Sequence, residues 1–258
     1  MKLDVNAVKE KKVRNEPITM LTAYDAQTAL LLQEAGVDLL LVGDTLGMVF
    51  QGANTTRVVT LDQMVYHVSV VSHGAPDTFV VGDLTYGTYD TPDIALASAR
   101  RIISAGAQAV KLEGNPKGVV RALVSEGIPV MGHLGLQPQT AERFTVRGKQ
   151  DNEAEQICAE AKDVEADGAF SLVLESVPEA LARRITDELR IPTIGIGAGK
   201  YCDGQVLVIN DLLGLSTIRK PKFVKQYAEL APVIRDAARE YVREVRARTF
   251  PDAEHTYH

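Results

Sequence analysis

Short apolar runs alternate with amphipathic stretches along most of the chain. Residues 18–24 (ITMLTAY), 78–84 (TFVVGDL), 128–134 (IPVMGHL), 191–197 (IPTIGIG) and 205–210 (QVLVIN) read as strands. Three further stretches resemble one another: EAGVDLLLVGD at 34–44, SAGAQAVKLEG at 104–114 and EADGAFSLVLES at 165–176. Each leaves a helical pattern through a glycine, the usual stop just past a helix, and enters a short apolar strand with polar residues at its end. Amphipathic patterns predict helices over 25–35, 91–104, 151–166 and 177–189. Thr91 and Pro92 supply a cap and a first-turn proline. A helix over 5–15 would close the bottom of the sheet. A long amphipathic stretch over 222–248, broken at Pro232, would form the last helix and an extension.

Eight near-continuous apolar strands separated by helices imply a parallel sheet covered by helices, and at this length a (β/α)8 TIM barrel. An open doubly wound sheet is the alternative α/β arrangement. No linker rich in Pro, Gly and Ser interrupts residues 1–258, so a single barrel domain with a helical extension is expected. A net charge of −6 gives no basic face for nucleic acid. No apolar run is long enough to span a bilayer, and the N-terminus does not read as a signal peptide. Cys158 and Cys202 lack CxxC spacing and read as free thiols of a cytoplasmic protein.

The polar residues at the strand ends carry the chemistry. They are Tyr24-Asp25, Asp44-Thr45, Asp83, Lys111 with Glu113, His133, Glu175, the glycine-rich run 195–199, and Asn210-Asp211. A barrel brings such ends to one mouth. In KLEG (111–114), Lys111 and Glu113 are two apart and share one face of a strand, which is costly in a core unless used. Asp44, Asp83 and Glu113 together call for a hard divalent cation, with Mg²⁺ the natural choice. Zinc fits less well, because His133 stands alone. Alternatively each acid caps a helix or pairs with an arginine. Lys111 can bind a substrate carboxylate, act as a Schiff-base lysine, or simply pair with Glu113. Glu175 ends an otherwise apolar strand, a setting that suits a general base near neutral pH. His133 contacts substrate or holds a neighbour. His67 and His73 read as surface residues. The run 195–199 offers a weak anion cradle at a helix head.

With these residues in view, the chain resembles the ketopantoate hydroxymethyltransferase family nearly end to end. The resemblance is carried by TAYD (22–25), VGDTLGMV (42–49), VKLEG (110–114), GHLGLQPQ (132–139), LVLESVP (172–178), IPTIGIGAG (191–199), DGQVLV (203–208) and the tail PDAEHTYH (251–258). It implies a barrel of the phosphoenolpyruvate/pyruvate-type superfamily. It also implies transfer of a hydroxymethyl group from 5,10-methylenetetrahydrofolate to 3-methyl-2-oxobutanoate through a Mg²⁺-stabilised enolate, giving ketopantoate for pantothenate biosynthesis. By the same resemblance Asp44, Asp83 and Glu113 hold one Mg²⁺ per subunit. Asp44, Thr45, Asp83 and Lys111 contact the ketoacid, and Glu175 accepts the proton. Large homo-oligomers, often decamers, are implied too. The family often has Ser where Thr45 stands, and the segments around Asp83 and over 144–149 also depart from it. Alternative readings are a metal-dependent 2-oxoacid lyase or mutase of the related barrels, and a non-catalytic ketoacid-binding barrel.

Overall fold

The expected strands form and close on one another. A computed structural model describes residues 2–116, 118–216 and 220–257. The two ends of the predicted domain, residues 1 and 258, fall outside the described residues. Two units are distinguished, Met1–Val208 and Ile209–His258.

In the first unit α1 (Val5–Val13) precedes β1 (Ile18–Thr22), α2 (Ala26–Glu34) and β2 (Leu39–Val42). A short α3 (Leu46–Val49), a 3-10 turn at Thr56–Val58 and α4 (Leu61–Gly74) lead to β3 (Phe79–Asp83). Then follow α5 (Pro92–Ser104), β4 (Ala109–Glu113), α6 (Val119–Ser125), β5 (Val130–Gly135), α7 (Asp151–Ala166), β6 (Ser171–Glu175), α8 (Glu179–Glu188), β7 (Thr193–Ile196) and β8 (Gly204–Leu207). The eight strands form a closed parallel barrel in sequence order, with β8 hydrogen-bonded back to β1. The open-sheet alternative is thereby excluded. Thr91 caps α5, its hydroxyl accepting from the Ile94 amide, with Pro92 at the first turn. The repeat glycines Gly36, Gly106 and Gly168 all adopt positive φ, as the shared stop required.

The barrel interior is filled by Ile18, Met20, Leu39, Leu41, Phe79, Val81, Ala109, Met131, Val173, Ile194 and Val206. Val8 of α1 joins this core. Lys11 pairs with Asp38 at 3.1 Å and Lys12 with Asp203 at 2.9 Å. Asp38 and Asp203 directly precede β2 and β8, so α1 closes the bottom.

Several expectations need correction. Helical cover is missing between β7 and β8: residues 197–203 return directly, so the run 195–199 heads no helix. Gly199 instead packs against Glu179, and its carbonyl accepts from the Gln205 side chain. The last strand stops at Leu207, and Asn210 and Asp211 lie in helix α9 (Ile209–Leu212) of the second unit rather than at a strand end. His67 is not a surface residue. It is buried on α4, with Nδ1 2.7 Å from the Tyr24 carbonyl and Phe50 edge-on against its ring. His73 is exposed as expected.

The second unit contains α9 and α10 (Leu230–Ala247). Pro232 does not break α10. It sits in the first turn, where a missing N–H costs nothing. No residue of α10 is buried, and Val233, Ile234, Tyr241, Val242 and Val245 are exposed. No helix among the described residues is long and apolar enough to cross a membrane.

Candidate active site

Side chains two apart on a strand share a face, so each inward file that begins in the apolar core continues to the mouth. On β3 the file runs Phe79, Val81, Asp83. On β4 it runs Ala109, Lys111, Glu113; on β5, Met131 then His133; on β6, Val173 then Glu175. The upper members, with Asp44 and Thr45 beyond β2, line one small cavity of about 40 Å³ together with Thr22, Ile196 and Val206. Every residue proposed from the sequence for metal or substrate therefore reaches one place, as does Glu175. Asp25 does not: its carboxylate caps α2 through the Thr28 amide.

Asp44, Asp83, Lys111, Glu113 and His133 are each no more than 5% exposed. The register sets Asp83 beside Lys111 and Glu113 beside His133. Lys111 Nζ lies 2.8 Å from Asp83 Oδ1, so the lysine's ion pair is with Asp83, not with its strand neighbour Glu113. The other Asp83 oxygen accepts from the Asp44 amide at 3.0 Å. His133 stands between two acids, with Nε2 3.1 Å from Glu175 Oε2 and Nδ1 3.8 Å from Glu113 Oε1.

The electrostatics follow from burying three carboxyls with one ammonium. Burial, then Asp83, pushes Asp44 up to about 7. Burial, then Asp44, pushes Glu113 up to about 9. Burial opposes the charge on Lys111, but Asp83, Asp44 and Glu113 outweigh it and hold the lysine at about 12. A Schiff-base role needs a neutral amine, so this setting disfavours it. Burial and then Lys111 lower His133 and keep its ring neutral.

Two backbone features place Glu175. Gly135 at φ 93° ends β5, where a Cβ would stand 2.3 Å from the Glu175 carbonyl. Ser176 adopts φ 50°, a strained conformation for a residue with a side chain, immediately after Glu175. It is held by the Ile196 carbonyl on one side and the Arg147 amide on the other. The loop over 136–150 is thus tied to the end of β6. Beside it lies a larger hollow of about 620 Å³, whose lining includes Gly135, Gln137, Arg143, Arg147 and Gln156.

Sequence reasoning missed Gln139. Its side-chain amide donates to Asp44 Oδ2 at 2.8 Å and to the Leu84 carbonyl at 3.0 Å, and its backbone N–H donates to Glu113 Oε2 at 3.0 Å. A glutamine after a proline in an aperiodic loop gives no sign of partners so distant in the chain. Only the stretch GHLGLQPQ, as a block, pointed near it.

A closed parallel barrel with acids, a base and a buried ammonium at its C-terminal mouth is the architecture of a barrel enzyme. A solved 2,3-dimethylmalate lyase, described as a PEP mutase/isocitrate lyase superfamily member, shares the fold. Its TM-score is 0.62 at 18% identity, over 98% of this chain and 91% of that one. The family is narrower: the ketopantoate hydroxymethyltransferase model matches residues 2–253, and the chain belongs to that family. The 3-methyl-2-oxobutanoate hydroxymethyltransferase of Moorella thermoacetica is 52% identical over 95% of this chain and 94% of its own length. That of Desulfotalea psychrophila is 51% identical over 95% and 91%. The protein is an enzyme of the one-carbon transferase class, a hydroxymethyltransferase.

Proposed function

We propose that the enzyme transfers a hydroxymethyl group from 5,10-methylenetetrahydrofolate to 3-methyl-2-oxobutanoate, giving ketopantoate for pantothenate biosynthesis. The observation that carries this reading is the gathering of Asp44, Asp83, Glu113, Lys111 and Glu175 around one inner cavity.

Among the described residues no three His, Cys, Asp or Glu side chains already form a ready metal cage. The fit to a cation rests on donor chemistry. Three buried carboxyls face one lysine, and two of them sit well above the ordinary carboxylate range, so the group lacks positive charge. All the donors are oxygens, which suits Mg²⁺, with Asp44, Asp83 and Glu113 as its holders. When bound, Mg²⁺ supplies Lewis-acid polarisation of the keto group. Lys111 and the Thr45 hydroxyl then hold the ketoacid carboxylate. Glu175 takes the C3 proton, with His133 against its carboxylate. C3 forms a bond to the folate-borne methylene as the first of that carbon's two C–N bonds breaks, and the oxygen of water bonds to it as the second breaks. The two folate nitrogens take up the proton removed from C3 and the one released by water. The 620 Å³ hollow is of the size expected for a drug-sized ligand and supports a second substrate there. We further propose a cytoplasmic homo-oligomer, on the family pattern a decamer; the uncovered apolar residues of α10 support self-association.

The test has two parts. Product formation from 3-methyl-2-oxobutanoate should require methylenetetrahydrofolate and a divalent cation. Separately, C3 deuterium exchange without folate, followed by NMR, should disappear in Glu175→Gln. Folate-independent cleavage of a 2-oxoacid would favour the lyase reading instead.

A further inference from the structure

Gln139 is 1% exposed, and its polar groups make a continuous set of contacts. Nε2 sits between Asp44 Oδ2 and the Leu84 carbonyl, while Oε1 accepts from the Tyr89 hydroxyl at 2.5 Å. The backbone N–H donates to Glu113 Oε2, and the backbone carbonyl accepts from Arg57 Nε at 2.5 Å. Arg57 also lies over the Tyr86 ring, 5.3 Å from its centre. One residue of the loop after β5 therefore grips two site acids, the loop after β3 through Leu84 and Tyr89, and the turn after β2 through Arg57. The amide has a single sensible orientation. The Leu84 carbonyl only accepts, so the NH₂ must face it and Asp44, leaving the oxygen for Tyr89.

We propose that Gln139 is a positioning residue: it sets the carboxylate of Asp44 and fastens three mouth loops over the acids, with Tyr89 locking the orientation of its amide. The proposal rests on the reading of Asp44 and Glu113 as cation ligands. An amide donating to one oxygen of Asp44 holds the carboxylate plane, as outer partners of ligating carboxylates do. The backbone bond to Glu113 does not depend on the side chain, so substitution separates the two acids.

The test uses full-length protein, Mn²⁺ as probe, and the variants Gln139→Met, Tyr89→Phe and their double. Mn²⁺ affinity, measured by water-proton relaxation or calorimetry, should fall about ten-fold or more in Gln139→Met. The loss in Tyr89→Phe should be smaller, and the double variant should lose no more than Gln139→Met. In metal-free protein, hydrogen–deuterium exchange should rise together over 136–141, around Arg57 and around Tyr89. Unchanged Mn²⁺ affinity with only a lower melting temperature would reduce Gln139 to a structural residue and overturn the proposal. Loosening confined to 136–141 would overturn it as well. If the wild-type chain binds no Mn²⁺, the cation reading of the acids falls, and the exchange result alone decides whether Gln139 fastens the loops.

Discussion

The bottom and the mouth of the barrel both hold ion pairs, half-buried at the bottom and buried at the mouth, yet the two ends are built differently. At the bottom each lysine has its own acid. Lys12 meets Asp203 and the Thr186 carbonyl, both at 2.9 Å, and Asp203 also accepts from the Thr193 amide at 2.7 Å. Lys11 meets Asp38, which accepts from the amide and hydroxyl of Thr19. Charges there are matched and hydrogen-bonded, as a fastening between α1 and the strand starts needs. At the mouth, one lysine faces Asp44, Asp83 and Glu113, and burial, with the neighbouring acids adding to it, displaces two of the carboxyls upward. A stability device neutralises itself; a binding site leaves charge for something else to neutralise.

That contrast can be broken in order of effect. Glu175→Gln should lower kcat by about 10²–10⁴-fold, the usual worth of a general base, with little change in melting temperature. A large melting shift with near-normal kcat would make Glu175 structural. Lys111→Met removes the lone cation among three buried acids. Breaking such a pair costs about 3–5 kcal/mol, and chemical denaturation should show it, with Mg²⁺ restoring much of the loss. Failure of Mg²⁺ to restore stability would count against a cation among these acids.

The pH dependence comes next. Asp44 and Glu113 have folded pKa values above their ordinary ones, so the metal-free folded chain holds protons that the unfolded chain has released. Their contribution to stability is complete below about pH 4 and lost as pH rises toward about 7 for Asp44 and about 9 for Glu113. Differential scanning calorimetry of metal-free protein should show this decline, and saturating Mg²⁺ should flatten it with release of protons. A profile identical with and without Mg²⁺ would defeat the expectation. Lys12→Met, at the bottom, gives the smallest effect: a stability loss of about 1–3 kcal/mol by denaturant titration, with kcat/KM unchanged. A catalytic defect there would erase the distinction between the ends.

Much of this was legible in the residues because a barrel converts a period of two into position. Once β4 is recognised, Lys111 and Glu113 must both point inward, and Leu112 must face the helices. The repeated glycine stop likewise located the starts of β2, β4 and β6. Three things were hidden. The apolar run 205–210 gave no sign that the strand ends at Leu207, since a short helix can carry the same letters. His67 sits on a helix face whose burial depends on Tyr24 and Phe50. Gln139 is read only through space, because its partners lie on other loops and its own loop has no period. The resemblance named the candidate acids, but not the residue that hydrogen-bonds two of them.

The direct return from β7 to β8 leaves part of the wall without a helix. On β8, Gln205 faces solvent while the adjacent Val206 lines the inner cavity. At that point the β8 backbone and the Val206 side chain stand between the exposed Gln205 and the inner cavity. An environment-sensitive dye attached at position 205 should therefore report filling of the inner cavity from behind, without entering the barrel mouth.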